Sequence, residues 1–489
     1  MGIALPFLSR KEDVKLGRTG PFFFFPTFRL SERERSTHMY MLGITGQGKS
    51  KLLEHLLVQD ILAGRGCGLL DPHTDLVRDL IASLHRSNFF QAKKNCERIL
   101  YFDPSRQDAV IPFNVLVSAN TPYQTAVHLI EAFRRTWPES LREAPRFTNI
   151  LLASLLVLIE NRLTLAELPR FLSDKKFREP LLEKMSDEEV VAVFHDRLDR
   201  WGKEQPLILE SILNKVSAFT LNPTLRRILG QRENALNFRQ IMDEGKVLLI
   251  DLGRCDGETR RLLGSLIVTG IEQAALARKD EPARTRRPFY FYIDEFQDFS
   301  ANEGSAITLA QILSESRKFG LHLTLAHQTL GQMDNAHLIS ALGNVGVKIV
   351  FAVDRTDAEV MVKKLFAVGS ERVKHVVPDE VQQEKSHPIF YSLQEEWEEA
   401  IQEIQNLSPR TCLVKAARRP AAKVHTMFIP PTNLTEGNLE ALRVMLLQQW
   451  SIEHHTQTHT PIAKKEKEEI VITEYEWIQN AKRTRVRPD

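Results

Sequence analysis

The chain has 489 residues, 43% of them hydrophobic and 26% charged, with 23 Gly and 23 Pro. At about 100–200 residues per domain this predicts two to four structural units with real cores, and it excludes a disordered or collagen-like chain. The formal net charge of +2 excludes a protein that coats nucleic acid over its whole outer surface, so any nucleic-acid contact is expected in a lined channel or a loop.

The longest apolar run, Ile150 to Ile159, is ten residues, short of the ~18–20 that span a bilayer, and reads as a buried helix. The start of the chain lacks the charged, apolar and small-residue regions of a signal peptide. Cys67, Cys96, Cys255 and Cys412 lie far apart with no C-x-x-C pair, which argues against a zinc ribbon or a disulfide framework. A cytoplasmic protein without a membrane span is expected.

Residues 1–37 read as an irregular arm. Pro21 and Pro26 bracket Phe22-Phe23-Phe24-Phe25 and stop a helix there, which predicts a short strand or docked arm whose aromatics cover a core edge. A partner-binding patch is the alternative. His38 to Gly43 is a short buried strand entering a glycine loop. Leu52, Leu53, Leu56, Leu57, Ile61 and Leu62 then recur at helical spacing until Gly64 and Gly66, and Cys67 to Asp71 is a second apolar strand. Strand, loop, helix and strand in this order make a βαβ unit, hence an α/β fold with a mostly parallel sheet and helices on both faces.

From about residue 119 to 245 the spacing is helical: Ala126–Trp137, Phe147–Asn161, Leu165–Leu172, Glu188–Trp201 and Leu207–Phe219, broken at Pro138, Pro145, Asp174 and Pro206. This predicts an all-α insertion. Strands resume at Lys246–Asp251, Phe289–Asp294, Leu321–Ala326 and Lys348–Val353, with helical stretches such as Arg260–Ala277 between them. Residues 412–416 and 423–430 flank Arg418-Arg419-Pro420 as a closing hairpin. A helix over about 435–450 and a charged tail follow. The expected division is an arm (1–37), a core in two parts (38–118 and 246–430) split by the insertion (119–245), and a C-terminal helix and tail (431–489).

Gly43-Ile44-Thr45-Gly46-Gln47-Gly48-Lys49-Ser50 fits G-x-x-x-x-G-K-[ST] between a predicted strand and helix. Glycines at this spacing let consecutive N–H groups face phosphates, and the helix N-terminus adds positive potential. Lys49 would neutralise the β- and γ-phosphates, and the Ser50 hydroxyl would ligate Mg²⁺. Phe289 to Ile293 is an apolar strand ending in Asp294-Glu295. Parallel strands end at the ligand edge of the sheet, so Asp294 would join the Mg²⁺ shell and Glu295 would polarise the attacking water. The following strand ends in His327-Gln328, and a carboxamide there can sense the γ-phosphate. Arg317 closes a predicted helix. It is either a cation complementing a helix C-terminus or an arginine supplied across a subunit interface.

The ordered set of this loop, Asp71-Pro72-His73-Thr74-Asp75-Leu76, Tyr292 to Gln297, Arg317-Lys318-Phe319-Gly320, Ala326-His327-Gln328 and Asn344-Val345-Gly346 resembles the TraG/TraD-type coupling proteins of conjugation and type IV secretion, within the HerA/FtsK group of ATPases. The resemblance covers roughly residues 35–430. It implies a RecA-like ATPase core assembling as a homo-oligomeric ring, usually a hexamer, that moves DNA through a central channel, with ATP and Mg²⁺ as cofactors. Lys49, Ser50, Asp294, Glu295 and Gln328 would form the cis site and Arg317 the trans arginine. Membrane-anchored members begin with transmembrane helices, which this sequence lacks. The family commonly has Gly where this chain has Thr74, at a position expected to need positive φ.

DNA contact is expected at Arg418, Arg419 and Lys423 of the late hairpin, through backbone phosphates, with a plain surface hairpin as the alternative. Arg284, Arg286 and Arg287 read as a solvated loop at the sheet edge away from the nucleotide, and Ser300 to Gly304 as a flexible polar loop. His454, His455 and His459 read as tail. The basic end, Lys482 to Arg487, can meet nucleic acid or an acidic partner. The leading expectation is an Mg²⁺-dependent ATP-hydrolysing DNA translocase. The alternatives are a nucleotide-gated scaffold acting with a nuclease or other effector, as in anti-phage defence, and an ATPase docking protein substrates such as a relaxase for secretion.

Overall fold

The computed structural model describes residues 13–22, 24–136, 145–200, 205–299, 303–332, 336–366, 373–378, 386–390, 392–417, 419–431 and 434–452. Phe23, Ser300 to Asn302, Arg418 and the tail with its histidines and basic end lie outside them.

The strands are β1 (Val14–Arg18), β2 (Thr27–Leu30), β3 (Met39–Leu42), β4 (Gly66–Asp71), β5 (Ile99–Phe102), β6 (Val247–Asp251), β7 (Phe289–Ile293), β8 (Leu321–His327), β9 (Val347–Val350), β10 (Val373–Pro378), β11 (Ser386–Phe390), β12 (Thr411–Ala416) and β13 (Ala422–Thr426). Strands β10 and β11 form a separate ribbon; the others make one sheet of order β2-β1-β13-β12-β9-β3-β8-β7-β4-β6-β5. From β9 to β5 every neighbouring pair is parallel, and β12, β13, β1 and β2 extend the sheet as an antiparallel meander. Every residue of β3 through β8 is buried, the pattern of parallel strands covered by helices on both faces.

Between β5 and β6 the chain runs through helices, among them Pro122–Thr136, Pro145–Glu160, Gln205–Leu221 and Phe238–Glu244. The single helix expected over Glu188–Trp201 is instead an α-helix, Glu188–Ala192, continued by a π-helical turn, Val193–Leu198. Two further elements are β5, whose four apolar residues have no alternation to read, and the helix Asp75–Arg86, whose buried Leu76, Val77, Leu80, Ile81 and Leu84 do recur at helical spacing. The C-terminal helix, Glu436–Gln448, is followed by Trp450, whose indole N–H donates to Ile99 O at 2.8 Å. It thereby shields the edge strand β5 from pairing with other chains.

Phe22 and Phe24 do not cover a core edge. They form the tip of the β1–β2 hairpin, where Phe22 and Phe24 are 59% and 68% exposed and stack with ring centroids 5.6 Å apart. Arg286 is half-buried and Arg287 exposed, as expected of a surface loop, but both are tied to the backbone. Arg286 donates to the carbonyls of Arg278, Glu281 and Lys318, and Arg287 to those of Glu244 and Gly64. They tie off loose carbonyls where β7 begins.

A buried polar network locks the arm to the core. Arg35 donates to both carboxylate oxygens of Asp60, at 2.8 and 2.6 Å, and to the Tyr292 hydroxyl at 2.8 Å, while lying 3.7 Å over the Tyr290 ring. Tyr292 in turn donates to Asp60 at 2.6 Å, and Arg65 adds a third cationic contact at 3.0 Å. Arg35 is 1% exposed and Asp60 0%, so neither charge has water to fall back on. Removing one partner of such a pair costs about 3–5 kcal/mol because the other is left buried and unpaired. Asp60→Ala is therefore expected to lower the thermal unfolding midpoint by at least several degrees, and an unchanged midpoint would remove the network from its role.

Candidate nucleotide site

The glycine loop joins β3 to the helix Lys49–Leu62. Gly46 and Gly48 adopt φ of 81° and 105°, conformations that admit glycine without a Cβ penalty. Gly43 packs so closely under Phe351 that a Cβ would lie 2.6 Å from it. Lys49 turns back on its own loop, donating to the carbonyls of Gly43 and Ile44. Burial lowers the pKa of its ammonium, and the nearby Glu295 and Asp294 oppose that shift.

Two strands away, β7 ends in the acidic pair. Ser50 Oγ donates to Asp294 Oδ2 at 3.3 Å, linking the loop to the carboxylate. Asp294 is pushed up to about 6, first by burial and then by the charges of Glu295 and Asp71. Asp71, at the end of β4, is also pushed up to about 6 by burial, although it accepts N–H bonds from His73 and Val77. Among the described residues no three His, Cys, Asp or Glu side chains converge as a metal cage. The hard oxygen donors of Ser50 and Asp294 fit Mg²⁺, which commonly takes one or two protein ligands and fills the rest of its octahedron with phosphate oxygens and water.

Glu295 has φ of 44°, a left-handed conformation that costs a side-chain-bearing residue about 1–3 kcal/mol and collects at functional sites. Its carboxylate is held at both oxygens: Gln328 Nε2 donates to Oε1 and Gln297 Nε2 to Oε2, each at 2.8 Å. The Oε1 of Gln328 accepts from Thr45 Oγ1 at 2.9 Å. One carboxamide thus bridges the glycine loop and the acidic pair. Beneath it, His327 pairs its Nε2 with the Tyr40 hydroxyl at 2.5 Å and packs edge-on to Phe296. Burial, then the Lys49 charge, lowers its pKa to about 3, so the ring stays neutral.

Thr74 adopts φ of 72°, the positive value expected at this position. Its hydroxyl donates to Asp251 Oδ1 at 2.6 Å, and Gly253 leaves room for it, since a Cβ there would meet Thr74 Oγ1 at 2.3 Å. A specific hydrogen bond and a neighbouring glycine therefore offset the strain. For Gln297 the only signal in the sequence is its spacing after Glu295. Arg410, whose N–H donates to Gln47 O at 2.8 Å, has no signal in the sequence, because that contact joins positions more than three hundred apart.

Arg317 lies elsewhere. It is exposed and precedes β8, at the sheet edge opposite the glycine loop. At ~3.3 Å per residue the strand alone places it about 20 Å from Gln328. The β12–β13 turn is at that same far edge, because Ala416 pairs with Val347 at the start of β9. There Arg419 donates to Glu34 Oε1 at 2.6 Å and to Arg29 O at 3.0 Å, with its guanidinium over Phe28. Lys423 pairs with Glu403 at 3.1 Å. These contacts fasten the hairpin to the arm and to the helix Leu393–Gln405.

A carboxyl whose folded pKa is raised from 3.8 to about 6 destabilises the fold increasingly as pH climbs through that window, and the loss persists above it. For Asp294 this amounts to something on the order of 3 kcal/mol. In Mg²⁺-free, nucleotide-free buffer, Asp294→Asn should melt several degrees above the unmodified chain at pH 8, with the gain shrinking toward pH 4.5. A variant that melts lower at pH 8 would contradict this charge balance.

The fold has solved counterparts. The bacterial conjugative coupling protein TrwBdeltaN70, in an unbound monoclinic form, aligns with a TM-score of 0.58 at 19% identity, over 87% of this chain and 91% of its own. TrwB in complex with ADP and Mg²⁺ aligns with a TM-score of 0.57 at 20% identity, over 83% and 89%. VirB4 of Thermoanaerobacter pseudethanolicus aligns with 0.54 at 12% identity, over 85% and 97%. No curated protein sequence matches the chain. The family model of the type IV secretion-system coupling protein DNA-binding domain matches residues 24–427, and the chain belongs to that family.

Proposed function

We propose that this protein is an Mg²⁺-dependent ATPase that works as a homo-oligomeric ring, six subunits around a channel, to bind and translocate DNA. The observation that carries the reading is the hydrogen-bonded chain from Thr45 through Gln328 to Glu295, beside the contact of Ser50 with Asp294. It lies in a chain whose family is that of a coupling-protein DNA-binding domain. The solved TrwB complexes with ADP and Mg²⁺, with a GTP analogue and with an ATP analogue support a purine nucleotide as ligand.

In this reading the loop N–H groups receive the phosphates. Lys49 exchanges its loop carbonyls for β- and γ-phosphate oxygens, and Ser50 and Asp294 hold the Mg²⁺. When bound, the cation supplies charge neutralisation at those oxygens. Glu295 orients the attacking water and accepts its proton. Gln328 exchanges its Thr45 contact for the γ-phosphate, so loss of that phosphate returns it to the loop. Arg317, distant from its own loop, reaches the neighbouring subunit's nucleotide. A cytoplasmic location and a relaxase or nuclease partner complete the proposal. No described helix is long and apolar enough to cross a membrane.

The test is ATP hydrolysis without DNA, with single-stranded DNA and with duplex DNA, using Lys49→Ala as the blank. Stimulation by either DNA, absent in Lys49→Ala and reduced at least about a hundredfold in Glu295→Gln, is the expected result. Slow turnover indifferent to DNA would favour the nucleotide-gated scaffold. Arg317→Ala subunits mixed into unmodified protein should depress activity more than in proportion to their fraction. A strictly proportional loss would remove the trans role.

A further inference from the structure

The glycine loop has two flanks, and only one of them holds the catalytic groups. In the sheet order β9-β3-β8-β7, Gln328 and Glu295 follow β8 and β7, so the γ-phosphate end of a bound nucleotide is read on that side. The nucleoside end is then left to the other flank, where β9 and the β12–β13 hairpin lie.

Two residues stand there with no assigned role. Arg410 heads β12 in a left-handed conformation, φ 64°. Its backbone is held on both sides: its N–H donates to Gln47 O at 2.8 Å, and its carbonyl accepts from Thr426 N at 2.8 Å and from Thr426 Oγ1 at 3.2 Å. Its side chain packs on the loop, since a Cβ on Gly48 would meet Arg410 Cγ at 3.5 Å. From that anchored position the exposed guanidinium lies over the ring of Phe428, 5.2 Å from the centroid. Phe428 follows β13 and is 66% exposed, a large apolar side chain left open to water beside a phosphate-binding loop.

We propose that Phe428 and Arg410 form the nucleobase subsite, with the purine ring of the bound nucleotide stacked on the Phe428 face and edged by the Arg410 guanidinium. The inference rests on the nucleotide reading of the glycine loop. An aromatic platform reads the π-face of a base and not its hydrogen-bonding edge, so adenine and guanine nucleotides are expected to use it alike. The backbone bond from Arg410 to Gln47 ties this platform to the loop that takes the phosphates, so base and phosphate contacts form on one rigid unit.

The experiment measures dissociation constants for ADP, GDP and inorganic pyrophosphate by calorimetry, in Mg²⁺ buffer. Phe428→Ala should weaken ADP and GDP roughly tenfold and leave pyrophosphate within about twofold. Phe428→Trp should restore both nucleotides, and Arg410→Ala should follow Phe428→Ala in direction. Equal loss of ADP and pyrophosphate, or unchanged ADP affinity in Phe428→Ala, overturns the subsite. So does an effect confined to oligomerisation, which would give Phe428 to a subunit contact. Unmodified protein that binds neither ADP nor pyrophosphate overturns the nucleotide reading, and this one with it.

Discussion

The register of β8 between β3 and β7 sets the geometry on which the rest of the site depends. Leu42 pairs with His327 and Ile293 with Leu325, so β3 and β8 end level, and β7 ends two residues earlier at the same edge of the sheet, which sets Glu295 beside the end of β8. Chain segments that are distant in sequence, the glycine loop, the acidic pair and the His327-Gln328 corner, are thereby delivered within hydrogen-bond reach. A slip of one residue in β8 would turn Gln328 to the opposite face of the sheet and break the bridge from Thr45 to Glu295. That register is in turn fixed by burial on both faces, since every residue of β8 is inside.

The site runs against the stability of the fold. Asp71, Asp294 and Glu295 gather carboxylates where water is scarce, with Lys49 as the nearby cation, and Glu295 and Thr74 hold left-handed backbones. The compensation lies elsewhere, in contacts of the same sheet with the arm, the helix Lys49–Leu62 and the loops around β7. Arg35, Asp60, Tyr290 and Tyr292 form a paired and stacked cluster, and Arg278, Arg286 and Arg287 close off exposed carbonyls around β7 and β8. The glycine-loop edge carries an excess of carboxylate charge that suits a divalent cation.

The two ends of β8 also separate two tasks. Gln328 stays with its own loop, while Arg317 stands exposed at the far edge, close enough to His38 and His322 to help lower their pKa values. Its distance from the glycine loop of its own chain is what the proposed subunit-to-subunit role of Arg317 rests on.

Much of this was legible in the sequence because it is written in short-range patterns. The glycine loop, the apolar strands that end in Asp294-Glu295 and His327-Gln328, and the helical spacing after residue 119 each follow from the residue types and their periods. The positive φ of Thr74 was legible only through the family resemblance, since threonine itself does not call for it. The sequence did not disclose β5, because four apolar residues have no period to read, nor the burial of Arg35, because charge alone predicts solvent. Hydrophobicity placed the Phe22 to Phe25 run inward, whereas the position of Phe22 and Phe24 at a hairpin tip leaves those two outside. Above all, the order β3-β8-β7 and the seating of Arg410 on Gln47 belong to the tertiary structure. Strand order and contacts between distant loops are settled by which crossovers bury the most apolar surface, and no local window of residues contains that sum.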